Sequence, residues 1–188
     1  MPIPDFDYNQ VLPPHLGDPR QPDDLSPFPT TSEEVCAKLA TSPERRAILQ
    51  GWLDFRQRLA KFNIPHGFQW LDGSFMEDIE TSEARAPHDL DLITFFVLPS
   101  GIPPNQFIST VQVGLPEFFD RDRSRQTFHL DHFPVHLQVN GKALVDITRY
   151  WTGLFSHRRN GVWKGMLRVE LNTAASDNNA AALLNKQP

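Results

Sequence analysis

The clearest periodic signal lies between residues 42 and 62. Ile48, Trp52, Phe55 and Leu59 recur at intervals of four and three, which places them on one face of a helix. Ser42-Pro43-Glu44 supplies its start: a capping hydroxyl, a proline at the first helical position and an acid in the first turn. Pro65 and Gly67 end it at about Phe62. Upstream, Thr31 followed three residues later by Glu34 is a capping box that opens a short helix through about Leu39. Beyond residue 67 the pattern changes. Phe68 to Leu71 reads as a buried strand, and Asp72-Gly73-Ser74-Phe75 turns sharply away from it. Residues 75–88 are polar and close on Pro87. Asp89 to Leu98 is the most strand-like run in the chain. After a Pro99–Pro104 loop, a helix is predicted over 105–113, limited by Pro116. Asp120-Arg121-Asp122-Arg123 then reads as a solvated loop. Phe128–Val139 and Ala143–Thr148 read as two strands, and Asn140-Gly141 between them predicts a hairpin. Pro134 inside the first run places it at a sheet edge or a bulge. Met166–Leu171 is a last strand, and the Ala- and Asn-rich stretch from Asn172 is expected to be a loosely helical tail. The order predicts an α+β fold, a small mixed sheet flanked by helices.

Composition sharpens this picture at the N-terminus. The chain has 188 residues, enough for one ordinary domain, and 17 prolines against a usual share of about 5%. Eight of them (Pro2, Pro4, Pro13, Pro14, Pro19, Pro22, Pro27 and Pro29) fall in the first 29 residues, which excludes a helix or a central strand there. Ile3, Phe6, Tyr8, Val11, Leu12, Leu16, Leu25 and Phe28 are apolar anchors that a free linker does not need. The expected organisation is an extended Pro-rich arm over 1–30, packed on a domain over 31–171, with a tail over 172–188. The lone Cys36 excludes an internal disulfide and a Cys-rich zinc module, and is expected to be a small buried apolar group. A net charge of −5 argues against general nucleic-acid binding. No apolar run approaches a membrane span, and Met1 to Asp7 carries no signal-peptide pattern, so a cytoplasmic protein is expected.

Three features carry chemistry. Gly73-Ser74, directly after a strand, can present backbone amides and a hydroxyl to phosphate oxygens. Asp89-Leu90-Asp91 opens a strand, where residues two apart share a face, so two carboxylates stand side by side. Like charges that close repel unless a cation lies between them, and Mg²⁺ takes one or two such carboxylates together with substrate phosphates. A two-metal site needs a further carboxylate from another strand. Asp131 shares a face with Phe133, Val135 and Leu137; Asp146, flanked by Val145 and Ile147, is its rival.

Gly73-Ser74, fourteen residues and then Asp89-Leu90-Asp91 resemble the nucleotidyltransferase signature of the DNA polymerase beta superfamily. The gap is slightly longer than in minimal members, which implies a small insertion at 77–87. More closely, the chain resembles a bacterial family of minimal nucleotidyltransferase-like proteins. The likeness rests on Ile3-Pro4-Asp5-Phe6, Leu12-Pro13-Pro14, Leu71-Asp72-Gly73-Ser74-Phe75, Tyr150-Trp151, Leu154 to Arg159 and Trp163-Lys164-Gly165, and covers most of residues 1–171. It implies a nucleotidyltransferase-like fold, a nucleoside triphosphate held at Gly73 and Ser74, and Mg²⁺ or Mn²⁺ on Asp89, Asp91 and a third aspartate. Comparison with that family favours Asp131 over Asp146. It also implies that a catalytically inactive binding module is the alternative to an enzyme. Small members of the superfamily often work with a separate protein, as in toxin–antitoxin pairs, so a protein partner fits either.

The remaining polar residues admit plainer readings. His129, His132 and His136 have no cysteine and no loop spacing to make a zinc site, so hydrogen-bonded or exposed histidines are expected. Arg158, Arg159 and Lys164, with His157, surround the Asn160-Gly161 turn and could bind a triphosphate or form a solvated basic turn. Trp151, Phe155 and Trp163 are expected in the core rather than as stacking platforms for a base.

Overall fold

A computed structural model describes residues 3–62, 64 and 66–186. Pro65, read above as a helix stop, and Pro2 lie outside the described residues. Both early helices form as their caps dictate. In α1 (Ser32–Leu39) the Thr31 hydroxyl accepts from the Glu34 amide while the Glu34 carboxylate accepts from the Thr31 amide. In α2 (Pro43–Lys61) the Ser42 hydroxyl accepts from the Arg45 amide, and Ile48, Trp52, Phe55 and Leu59 are all buried.

Five strands make one mixed sheet: β1 (Phe28–Thr30), β2 (Gly67–Asp72), β3 (Leu90–Phe96), β4 (Leu130–His136) and β5 (Leu167–Glu170), in the order β1-β5-β2-β3-β4. β2 runs antiparallel to both β3 and β5, whereas β1 pairs parallel with β5 and β4 parallel with β3. The two prolines within strands, Pro29 and Pro134, fall in β1 and β4, the two edges, where a missing N–H costs least. A short helix, α3 (Ile79–Glu83), follows the Gly-Ser turn, and the parallel β3–β4 pair requires a long crossover, supplied by α4 (Pro104–Gly114) and α5 (Arg121–Phe128).

Alternation along the strands builds two faces. Leu71, Leu90, Leu92, Phe96 and Leu130 join the larger core with α1, α2, α4, α5 and the C-terminal helix α7 (Ala174–Lys186). A buried polar chain threads this face. Arg56 Nε donates to Asp177 Oδ1 at 3.0 Å and Arg56 Nη1 to Gln69 Oε1 at 2.9 Å; Gln69 Nε2 donates to Thr94 Oγ1 at 3.0 Å, and His132 Nε2 lies 2.9 Å from the same hydroxyl. Burial pushes His132 down to about 3, so its imidazole is neutral at ordinary pH. Cys36 is buried here as expected, and burial pushes its thiol up to about 12. On the opposite face Ile93, Phe95 and Val135 pack under Trp151 and Phe155 of α6 (Gly141–Phe155).

Five expectations change. Asn140-Gly141 is not a hairpin turn: the Asn140 side chain caps α6, accepting from the Ala143 amide at 3.0 Å. Leu144, Ile147, Trp151 and Phe155 form a helical stripe that overrides the short alternation at 143–148, which had read as a strand. The acid–base run at 120–123 is not a loop: Asp120 accepts from the Arg123 amide and starts α5, which includes Phe128, and His129 at φ +57° separates it from β4. The stretch from 172 is no loose tail, because α7 buries Ala180, Leu184 and Asp177 against α1 and α2. Trp163 is exposed rather than core, while Trp151 and Phe155 are buried.

The arm is ordered and reaches the region of the Gly-Ser turn. Ile3, Val11, Leu12 and Phe28 are buried and Phe6 packs against the core, whereas Tyr8, Leu16 and Leu25, expected as anchors, are exposed. Val11 bridges Glu77, the Asp78 amide donates to the Gln10 carbonyl, and the Gly165 amide donates to the Leu12 carbonyl. Among the described residues no helix is long and apolar enough to cross a membrane.

Candidate functional site

The sheet register sets the centre of the site. Asp72 on β2 stands opposite Asp91 on β3, and Asp91 opposite Asp131 on β4. Three carboxylates from three neighbouring strands thus form a row across one face, and Asp89, two residues before Asp91, leans into the same place. They open into a cleft of about 760 Å³, whose far wall is the C-terminal end of α6 and the residue 157–164 turn.

Every predicted site residue except one lines this cleft: Gly73, Ser74, Asp89, Asp91, Asp131, Arg158, Arg159 and Lys164. Asp146 does not. It is exposed on α6, because the segment is helical and Asp146 falls outside the Leu144, Ile147, Trp151 and Phe155 stripe. The third carboxylate beside Asp91 is therefore Asp131, and a fourth, Asp72, was not singled out from the sequence. Its signal was present in the alternation, since Phe68, Trp70 and Asp72 share one face of β2.

The electrostatics within the row are unequal. Burial pushes Asp91 up to about 7, helped by the negative charges of Asp72, Asp131 and Asp89. Asp72 is pushed up to about 6 by burial, against the pull of Lys164. Lys164 Nζ lies 3.0 Å from Asp72 Oδ1, 3.0 Å from Glu77 Oε1 and 3.1 Å from the Gly73 carbonyl. The Asp72 contact is an ion pair by distance without the direction of a good hydrogen bond. Burial would lower the Lys164 ammonium, but Asp72 and Glu77 outweigh it and hold it above its usual value. Arg158 Nε also donates to Glu77, at 2.7 Å. Lys164 and Arg158, both read as phosphate ligands, are thus engaged with carboxylates on the wall, whereas Arg159 forms no ion pair among the described residues.

Asp131 is held by two arginines from α5: Arg121, which the sequence had placed in a loop, and Arg125. Arg121 meets it through both Nε and Nη2, and Arg125 Nη2 donates to it at 2.6 Å while Arg125 Nε reaches Asp89 at 3.1 Å. Asp91 has no ion-pair partner among the described residues. Nor, among them, do three or more His, Cys, Asp or Glu side chains form a ready metal cage. The donor set itself suits a hard divalent cation: carboxylate oxygens, one of them unpaired and electrostatically disfavoured as an anion.

Gly73 is needed where it stands. Its φ of +80° with ψ −166° is a region only glycine enters readily, and a Cβ there would lie 1.8 Å from Asp91 Oδ2. Gly73→Ala is expected to lower stability by about 2 kcal/mol and to displace the Asp91 carboxylate. Chemical denaturation checks the first effect and Mn²⁺ titration the second; an alanine variant with wild-type values in both would mean that the turn adapts.

A protein-family model described as a family of unknown function (DUF6932) matches residues 4–170. No curated protein and no solved structure matches the chain.

Proposed function

The chain belongs to DUF6932, a family of unknown function, so its chemistry has to come from the cleft, and we propose that this cleft is a divalent-metal-dependent nucleotidyltransferase site. The observation that carries the reading is the carboxylate row, with Asp91 half-buried, without an ion-pair partner among the described residues and pushed up to about 7. A carboxylate so placed is explained by a cation that joins it in the working state. Asp89, Asp91 and Asp131 would hold Mg²⁺ or Mn²⁺, and Asp72 with Lys164 would fix the β2 end of the row. When bound, the cation supplies neutralisation of phosphate charge and polarisation of the phosphorus centre. The Ser74 hydroxyl and the amides of the turn at Gly73 would donate to the β- and γ-phosphate oxygens of the triphosphate, and Arg159 would face its outer charge. The acceptor hydroxyl is left open by the residues present.

Calorimetric titration of ATP, GTP, CTP and UTP in the presence of Mn²⁺ tests the reading. At least one should bind, and Asp89→Ala and Asp91→Ala should weaken it by well over the roughly tenfold loss that an outer-sphere partner alone causes. Metal-independent binding of all four, or none, would overturn it. One observation favours a second reading: Arg121 and Arg125 already neutralise Asp131 and Asp89. If they do so permanently, the cleft is a binding module with the catalytic function lost, and nucleotide or a partner protein would bind without metal.

A further inference from the structure

Resting on the metal-nucleotide reading, we propose that Arg121 and Arg125 are exchangeable counter-ions: they hold the carboxylates while the metal is away, and on its arrival swing across to grip the triphosphate. Charge is the first support. The two guanidiniums bring the same two positive charges to Asp89 and Asp131 as one divalent cation, so the exchange leaves the carboxylates equally neutralised. Mobility is the second. The Asp131 side chain is only 4% exposed and stays put, whereas the side chains of Arg121 and Arg125 are 49% and 39% exposed, with open cleft beside them. A route is the third. Arg121 lies over the Phe133 ring at 4.8 Å, a contact that does not depend on Asp131 and gives its guanidinium a second hold while it turns. Need is the fourth. Lys164 and Arg158 are tied to Glu77, which leaves Arg159 on that wall as a single cation against the several negative charges of a triphosphate. A freed arginine fork suits phosphate oxygens geometrically. Both residues sit one turn apart on α5, so one helix delivers both to the same ligand.

The exchange predicts effects of opposite sign. In Arg125→Gln and Arg121→Gln the metal loses a competitor, so calorimetry with Mn²⁺ alone should show affinity about tenfold higher than in the wild-type protein. With Mn²⁺ present, ATP and inorganic tripolyphosphate should both bind about tenfold more weakly, because the lost contact is to phosphate. Arg125→Lys keeps the charge but not the fork, and should recover part of the tripolyphosphate affinity. Melting temperatures confirm that each variant is folded. Unchanged or weaker Mn²⁺ binding in the glutamine variants, or unchanged tripolyphosphate binding, would overturn the exchange while leaving the nucleotidyltransferase reading intact. Mn²⁺ binding by the variants but not by the wild type would overturn it in favour of permanent arginine replacement. Absence of Mn²⁺ binding in every form would remove the metal reading and the exchange together.

Discussion

Asp91→Asn is expected to melt about 5 °C above the wild-type protein at pH 8 and to have lost metal-dependent nucleotide binding. The first half follows from linkage. Asp91 is pushed up to about 7 in the folded chain against an ordinary 3.8, so the folded state disfavours its anion. An acid raised in this way destabilises the fold fully above the folded value. The penalty fades as pH falls and is gone below the unfolded value. Screening by the solvent that reaches Asp91 reduces the full linkage figure to about 2 kcal/mol, which for a chain of this size is roughly 5 °C. The difference in melting temperature between variant and wild type should therefore be largest at pH 7.5–8 and shrink towards zero near pH 4. Titrating groups outside the carboxylate row, His132 among them, are common to both proteins and cancel in the difference; within the row, loss of the Asp91 charge also relieves its neighbours, which adds to the gain of the variant at high pH. The second half follows from the loss of the carboxylate in the row that has no ion-pair partner among the described residues. A residue that weakens the fold and is indispensable to binding is a functional residue by the usual trade-off between stability and activity. A lower melting temperature for Asp91→Asn would mean instead that the carboxylate is structurally paired.

Most of the fold was legible because its signals are local. The Thr31–Glu34 box, the Ser42-Pro43 start and the alternation of β3 each depend on residues within a turn or two, and each formed where expected. Segment 140–155 failed because two local signals competed. Asn140 serves equally as a turn residue and as a helix cap, and only the full stripe from Leu144 to Phe155 decides between them. The tail was misjudged for a different reason. Ala180 and Ala181 look featureless in sequence, yet small side chains let α7 lie close on α1, and Asp177 becomes the counter-ion of Arg56 only across 121 residues. No local rule contains that pairing.

The site divides in the same way. Gly73, Ser74, Asp89 and Asp91 were legible because spacing alone sets their relation, through a turn and through the two-residue period of a strand. Asp131 needed the strand order, and the choice between it and Asp146 turned on whether 143–148 was strand or helix. Asp72, Arg121 and Arg125 were not singled out because their roles arise from register and from the crossover. Asp72 meets Asp91 only through the β2–β3 pairing, and the arginines reach Asp131 only because α5 packs beside β4.

Lys164 is where the family resemblance and the structure pull apart, and Lys164→Met separates them. The resemblance makes Lys164 a phosphate ligand; the structure buries it between Asp72 and Glu77, with side-chain exposures of 5%, 5% and 6%. Removing the ammonium leaves Asp72 buried without a cation and Glu77 with Arg158 alone. Breaking a buried pair by deleting one partner costs about 3–5 kcal/mol, so the variant should melt some 10 °C or more below wild type at pH 8. The loss should depend on pH in a definite direction. Asp72, already pushed up to about 6, rises further without Lys164 and escapes the penalty by taking a proton, so the gap should narrow between pH 8 and pH 5. Adding Asp72→Asn should restore much of the stability, and the double-mutant cycle should show strong coupling between positions 72 and 164. Nucleotide affinity, measured on the folded fraction, should fall only through the displaced Gly73 carbonyl. A Lys164→Met protein as stable as wild type but unable to bind nucleotide would reverse the assignment and return Lys164 to the phosphates.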